Sequence, residues 1–232
     1  MALFSSEGVL FLLRWFHFLA GITWIGLLYY FNFVQTPFFA SAEAPVRMGM
    51  LAGGLVNRAL WWFRWGAMIT FITGWLIILH RMGQGGFFTG SYGWAILFGG
   101  LLGSLMWFNV WFVIWPAQQV LMASAAQVVK GGQAIPEAAA RGQRAGFASR
   151  TNTMLSIPML FFMGAASHLP MGAPRGTGAF ILILVVLVVA EINAMVGTAG
   201  PGKKLLSTLN GTFWAGFILT AILYCGLELL RA

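Results

Sequence analysis

Six long apolar stretches account for most of this 232-residue sequence and constrain its fold more than any other feature. A bilayer-spanning helix needs roughly 20 mostly apolar residues. Charged residues make up only 8% of the chain, against about 25% in a soluble domain. The sequence therefore predicts an all-α, polytopic membrane helix bundle with about six transmembrane helices, forming a single transmembrane domain over residues 1–232. The predicted spans are about 9–34, 57–80, 92–116, 147–168, 178–199 and 208–229.

Two segments between these spans are too polar to cross a membrane. They cover about 40–55 and 118–146. We expect short helices lying on the cytoplasmic surface there, with 118–146 as the main surface loop. The first 30 residues continue apolar for too long to be a signal-peptide core, so we assign them to the first span.

The distribution of Lys and Arg predicts the orientation of the bundle. Nine basic residues fall on the side of the long loop: Arg47, Arg58, Arg64, Lys130, Arg141, Arg144, Arg150, Lys203 and Lys204. Four fall on the other side: Arg14, Arg81, Arg175 and Arg231. The positive-inside rule then places the loop in the cytoplasm and both termini in the periplasm of a bacterial inner membrane. The net charge of +8 forms no contiguous basic face, so we expect anionic lipid, and not nucleic acid, as its partner.

The three histidines are the candidate ligands, and all three fall on the predicted periplasmic side. His17 lies eight residues into the first span, about 12 Å deep, where an ionisable side chain is a functional candidate. His80 and His168 end the second and fourth spans. The sole cysteine, Cys225, excludes an internal disulfide and a haem attached through CxxCH.

Haem b suits this set best, because imidazoles from two facing helices can hold its iron within apolar and aromatic walls. We predict His17 and His168 as the ligands, with Gly21 and Trp24 on the His17 face of the helix. His80, beside Arg81 in the sequence, is the weaker metal candidate. Three alternatives stay open: a mononuclear copper or zinc site, a His17 that only bonds a neighbouring helix, and a Gly21 that only permits helix packing. Met159, Met163 and Met171 are possible soft ligands.

A second pattern concerns charges on the cytoplasmic side. Arg64 lies about two turns into the second span, and Glu191 lies at a similar depth in the fifth. An unpaired charge at such a depth is costly. We therefore predict a buried Arg64–Glu191 ion pair.

Several sequence blocks resemble the membrane-bound urate oxidases that carry a C-terminal cytochrome c. The blocks are Arg14-Trp15-Phe16-His17 with Gly21 and Trp24-Ile25-Gly26, Trp62-Phe63-Arg64-Trp65, Asn109 through Gln118, and Asn152 through Pro158 to Pro170. The first block is also similar, more distantly, to haem-b protoporphyrinogen oxidases and copper-resistance membrane proteins. The resemblance implies a redox or metal role for His17 and His168.

The sequence departs from that family at three places. No cytochrome c segment follows within the 232 residues. Thr151-Asn152-Thr153 stands where the family shows His-Asn-Asn, and Gly66 replaces the acidic residue of its Trp-Phe-Lys-Trp-Glu element.

Three functional hypotheses follow. The first is a haem-b electron-transfer protein that works with a separate cytochrome c or other redox subunit, within a multisubunit complex or homo-oligomer. The second is a membrane oxidase of urate or another small reductant. The third is a structural accessory subunit without a cofactor.

Overall fold

The computed structural model describes residues 2–174, 177–197 and 199–230, and every regular element in them is a helix. After a short 3-10 turn the helices are α1 (Ser6–Tyr29), α2 (Thr36–Ser41), α3 (Ala44–Ala52), α4 (Leu55–Gly83), α5 (Ser91–Phe108), α6 (Trp115–Val129), α7 (Ala138–His168), α8 (Gly178–Met195), α9 (Pro201–Leu206) and α10 (Leu209–Leu229). Arg175 and Arg231, which entered the orientation count, lie outside the described residues.

Five helices are long and apolar enough to cross a membrane: Ser6–Ser41, Leu55–Gly83, Ser91–Val129, Gly178–Met195 and Leu209–Leu229. Their outer faces expose large apolar side chains. On α8, for example, Ile181, Val185, Val188 and Val189 are each more than half exposed. Apolar surface of this extent requires lipid contact. The prediction of an all-α membrane bundle is confirmed.

The predicted fourth span, 147–168, lies within α7. This helix is not among the five that are long and apolar enough to cross a membrane. This helix packs against α5, α6, α8 and α10. Its polar run Thr151, Asn152, Thr153 and Ser156 is completely buried. Because α7 is covered by protein, it can carry polar residues that a lipid-facing helix could not. A count of six spans therefore stays a prediction.

The segment 118–146 differs from its prediction as a surface loop of short helices. The helix of the third span continues as α6 to Val129, and α7 begins at Ala138. Only about eight residues between them are non-helical. The other polar segment does contain a short helix, α3.

Two wide π-helical turns interrupt the first and third spans, over Tyr30–Gln35 and Asn109–Ile114. The first turn is followed directly by Thr36-Pro37, and the second is followed directly by Trp115-Pro116. A proline lacks the backbone N–H and clashes with the carbonyl four residues earlier, and the wider turn accommodates both defects. These prolines therefore widen their helices without breaking them.

The first four spans form two hairpins, α1 with α4 and α5 with α7. The first hairpin crosses closely at Gly66, where a Cβ atom would lie 3.1 Å from the Trp24 backbone nitrogen and 3.2 Å from the Ala20 carbonyl oxygen. The acidic residue that the resemblance places there would not fit this crossing.

A fully buried layer crosses the middle of these four helices. Leu28, Ala67, Met106 and Leu155, one from each, are all 0% exposed. A polar contact lies in the same layer: Asn109 Nδ2 donates to Asn152 Oδ1 at 3.0 Å, and Asn152 Nδ2 donates to the Met106 carbonyl at 2.9 Å. We call these six residues the septum. One cavity lies on each side of it.

Candidate functional site

The first cavity, which we call the His17 cavity, lies between the septum and the α1 N-terminal end of the bundle. Its volume is about 520 Å³, within the usual range of about 300–1,000 Å³ for ligand sites. The walls come from α1, α4, α5 and α7, and are mainly apolar and aromatic. His17, Gly21 and Trp24 all line it. The structure thus brings together three of the four predicted cofactor residues.

A hydrogen bond from α4 fixes the His17 ring. His17 Nδ1 lies 3.1 Å from Thr73 Oγ1. The Thr73 hydroxyl donates a hydrogen bond within α4, to the Ile69 carbonyl oxygen at 2.6 Å. With its proton so placed, the hydroxyl oxygen accepts from His17, which assigns the ring proton to Nδ1. The Thr70 backbone also interacts with this ring. In this tautomer Nε2 carries the lone pair that a metal would take.

Two glycines shape the space around this imidazole. A Cβ atom at Gly74 would lie 3.0 Å from His17 Cε1, so the ring packs directly on the α4 backbone. A Cβ atom at Gly21 would meet nothing closer than Thr70 Oγ1 at 3.9 Å, an ordinary contact. Helix packing therefore does not require a glycine at position 21, and its effect is to widen the cavity.

Trp24 contributes a second available polar group. Its side chain is 2% exposed, and its indole Nε1 has no hydrogen-bond acceptor among the described residues. A buried tryptophan N–H usually finds a partner, so this donor is unsatisfied in the structure.

A polar vestibule adjoins the His17 cavity at the same end of the bundle. Arg14, Tyr92 and Ser167 line both spaces, and Arg81 lines the vestibule alone. Arg81 donates to Gln84 Oε1 at 2.9 Å. Two guanidinium groups thus stand close to the cavity mouth, where they favour an anionic group.

The other two histidines lie near this end but do not line the cavity. His168 is exposed at the end of α7 and follows Ser167, which does line it. His80 is bound through Nε2 to the Gln84 amide at 3.2 Å. From α7, two possible soft ligands, Met159 and Met163, contribute to the cavity wall.

Among the described residues, no group of three or more His, Cys, Asp or Glu side chains could hold a metal ion together. A copper or zinc centre built from three such donors would need a different arrangement. A haem needs only one or two axial residues.

The predicted Arg64–Glu191 ion pair does not form in the structure. The Arg64 guanidinium carbon lies 4.0 Å from the centre of the Trp115 ring and 4.9 Å from that of Trp111. Both Glu191 carboxyl oxygens are buried, and the side chain that interacts with this carboxylate is Asn109 and not Arg64. Aromatic rings can stabilise a cation in place of a carboxylate, a possibility that the prediction did not include.

The second cavity, which we call the Arg150 cavity, lies on the far side of the septum and measures about 470 Å³. Arg150, Gln35, Gln118 and Asn32 line it among apolar side chains. Asn32 donates to Ser149 Oγ at 2.8 Å. Sequence reasoning missed this cavity, because Arg150 was counted only as a loop charge.

The sequence profile of the family described as Urate oxidase N-terminal matches residues 79–224, more than half of the chain. The chain belongs to the urate oxidase N-terminal family. No curated protein and no solved structure matches it.

The matched range of this urate oxidase N-terminal protein contains α5 to α9 and most of α10. It includes His168, Met163 and the septum residues Asn109 and Asn152. His17 lies before it, so only the resemblance of the first span connects that residue to the family. The family prediction is confirmed, while the cytochrome c type and haem b stay predictions.

Proposed function

We propose that this protein is a haem-b-binding electron-transfer component of a membrane oxidase, with His17 as an axial ligand. One observation carries the proposal: a cavity in the bundle with a histidine on its wall, whose Nδ1 is engaged by Thr73 and whose Nε2 carries the lone pair. Outer hydrogen bonds of this kind are typical of metal-binding histidines. Haem b, when bound, supplies a one-electron Fe(III)/Fe(II) couple.

The chemistry of the cavity supports haem b. The walls are apolar and aromatic, as a macrocycle requires. Gly21 leaves room beside His17, and Trp24 offers its unpartnered N–H. Arg14 and Arg81 line the adjoining vestibule and would hold the carboxylates of a haem by charge.

Helix α7 offers the candidates for a second axial ligand. His168 is the predicted one and stands one residue beyond the cavity wall. Met163 is already part of that wall. We propose His168, and a histidine–methionine pair as the alternative, because the two ligand sets give different absorption spectra.

The test is a pyridine haemochrome spectrum of the purified full chain, made with adequate haem supply. We expect haem b in the wild type, loss of haem in His17→Ala, and a changed axial spectrum in His168→Ala. His80→Ala is the matched control and should retain the wild-type spectrum. A haem-free wild type would refute the proposal and favour an accessory subunit without a cofactor. A His17→Ala variant that retains haem would refute His17 as the ligand.

Membership of the urate oxidase N-terminal family favours a second candidate, oxidation of urate or another small reductant. The protein would pass electrons to a separate cytochrome c or other redox subunit, in a bacterial inner membrane with the His17 cavity on the periplasmic side. The assay is reduction of a cytochrome c that depends on added substrate. No turnover with urate would remove the urate version and leave the haem proposal untouched.

A further inference from the structure

The Arg150 cavity contains a cation without a counter-ion. Arg150 makes no hydrogen bond or ion pair to any described residue, and its Nη1 is buried. The whole chain has five Glu and no Asp, and none of the five lines this cavity. Arg150 as a whole is half-buried, and a buried guanidinium nitrogen without a partner favours an anion beside it.

An acceptor in the same cavity is also unused. Gln35 Oε1 is buried without a hydrogen-bond partner. The π-helical turn over Tyr30–Gln35 precedes Pro37 and contributes both Gln35 and Asn32 to the lining. Most buried polar groups are hydrogen-bonded. Two residues of the lining, Arg150 and Gln35, thus each carry a buried polar atom that no described residue satisfies.

The remaining walls restrict the shape of a ligand. Phe31 and Phe63 meet edge to face, with ring centres 5.4 Å apart. Phe39 and Leu60 extend the apolar lining. Such walls suit a ring or a short hydrocarbon portion.

We propose that the Arg150 cavity binds a small organic anion that also carries an O–H or N–H donor. Arg150 takes the negative charge, Gln35 accepts from the donor, and the aromatic walls cover the apolar part. A lipid headgroup shares the anionic chemistry. The headgroup of phosphatidylglycerol carries hydroxyl donors as well, so the lipid arm of the test distinguishes this source from a soluble anion. The proposal is independent of haem, since the septum separates this cavity from His17.

Three related compounds serve as probes with the purified full chain: 3-hydroxybenzoate, its neutral amide 3-hydroxybenzamide, and benzoate, which lacks the hydroxyl. Calorimetric titration gives each Kd. We expect 3-hydroxybenzoate to bind more tightly than either of the others. Arg150→Gln should weaken it about tenfold or more, as loss of a charged hydrogen bond implies, and Gln35→Leu should remove its advantage over benzoate. Arg58→Gln, an exposed basic residue outside the lining, is the control and should bind as the wild type does.

Equal binding of the acid and its amide would overturn the proposal, as would unchanged binding by Arg150→Gln or no binding of 3-hydroxybenzoate. A lipid arm uses nanodiscs of phosphatidylcholine with and without phosphatidylglycerol. The soluble-ligand proposal is refuted if phosphatidylglycerol raises the unfolding temperature, 3-hydroxybenzoate does not, and Arg150→Gln abolishes the rise. The cavity then binds a lipid headgroup. The haem spectrum of each variant is recorded in parallel, so failure here is distinguishable from failure of the proposed function.

Discussion

Replacing Thr73 by valine tests whether the bond to His17 prepares that residue as a ligand. The substitution keeps the shape of the side chain but removes the acceptor that lies 3.1 Å from His17 Nδ1. Thr73 is 8% exposed, so water has poor access to replace its hydroxyl. The Nδ1 proton then loses its side-chain partner, and the Thr70 backbone is the remaining contact that orients the ring.

The expected magnitude follows from two effects. An unsatisfied buried donor costs about 1–3 kcal/mol. Loss of an outer-shell partner of a metal-binding histidine lowers metal affinity by roughly 10–100-fold. We therefore expect Thr73→Val to release haem about 10–100 times faster than the wild type, with Thr73→Ser close to the wild type because it retains the hydroxyl.

The assay is transfer of haem from the purified protein to excess apomyoglobin, followed by absorbance. Thr70→Val is the matched control. Thr70 Oγ1 also donates within α4, to the Gly66 carbonyl at 2.7 Å, but its hydroxyl makes no bond to His17. If Thr73→Val holds haem as well as the wild type, or Thr70→Val loses it equally fast, the argument from the tautomer is wrong.

Three further variants test the packing. Gly66→Ala should lower the free energy of unfolding by about 1–3 kcal/mol because its methyl would overlap the α1 backbone. Gly26→Ala is the control and should leave that free energy unchanged, since a Cβ atom there would meet nothing within 4 Å. Equal effects of the two variants on thermal unfolding would contradict the close crossing. Asn152→Leu leaves the buried Asn109 amide without its acceptor and should cost about 1–3 kcal/mol, whereas an unchanged midpoint would show that the bond contributes nothing. Glu191→Gln should change the free energy of unfolding little, since no ion pair is lost. A loss of about 3–5 kcal/mol, typical of a broken buried pair, would instead indicate that Glu191 pairs with Arg64.

The sequence predicted the fold class well, because apolar stretches of this length have few alternatives to crossing a membrane. It was less informative about α7. That helix is polar where it is enclosed by its neighbours, and hydropathy cannot distinguish a buried polar span from a surface segment. The same limitation separated 118–146 as short surface helices, whereas α6 and α7 extend into this segment as parts of longer helices.

For the site, helical periodicity was sufficient to place His17, Gly21 and Trp24 on one wall, because all three lie on one helix. Contacts between helices were harder to predict. The Thr73 bond and the Arg150 cavity depend on helix rotation, which a single sequence does not specify. Pro37 and Pro116, each inside an apolar run, were the available signals for the two wide turns.

The septum stands between two cavities whose linings share no residue. Its four apolar residues are completely buried, and its two asparagines bind each other and a backbone carbonyl. A substitution that changes the wall of one cavity therefore leaves every lining residue of the other in place, so each site can be altered and assayed separately in the same chain.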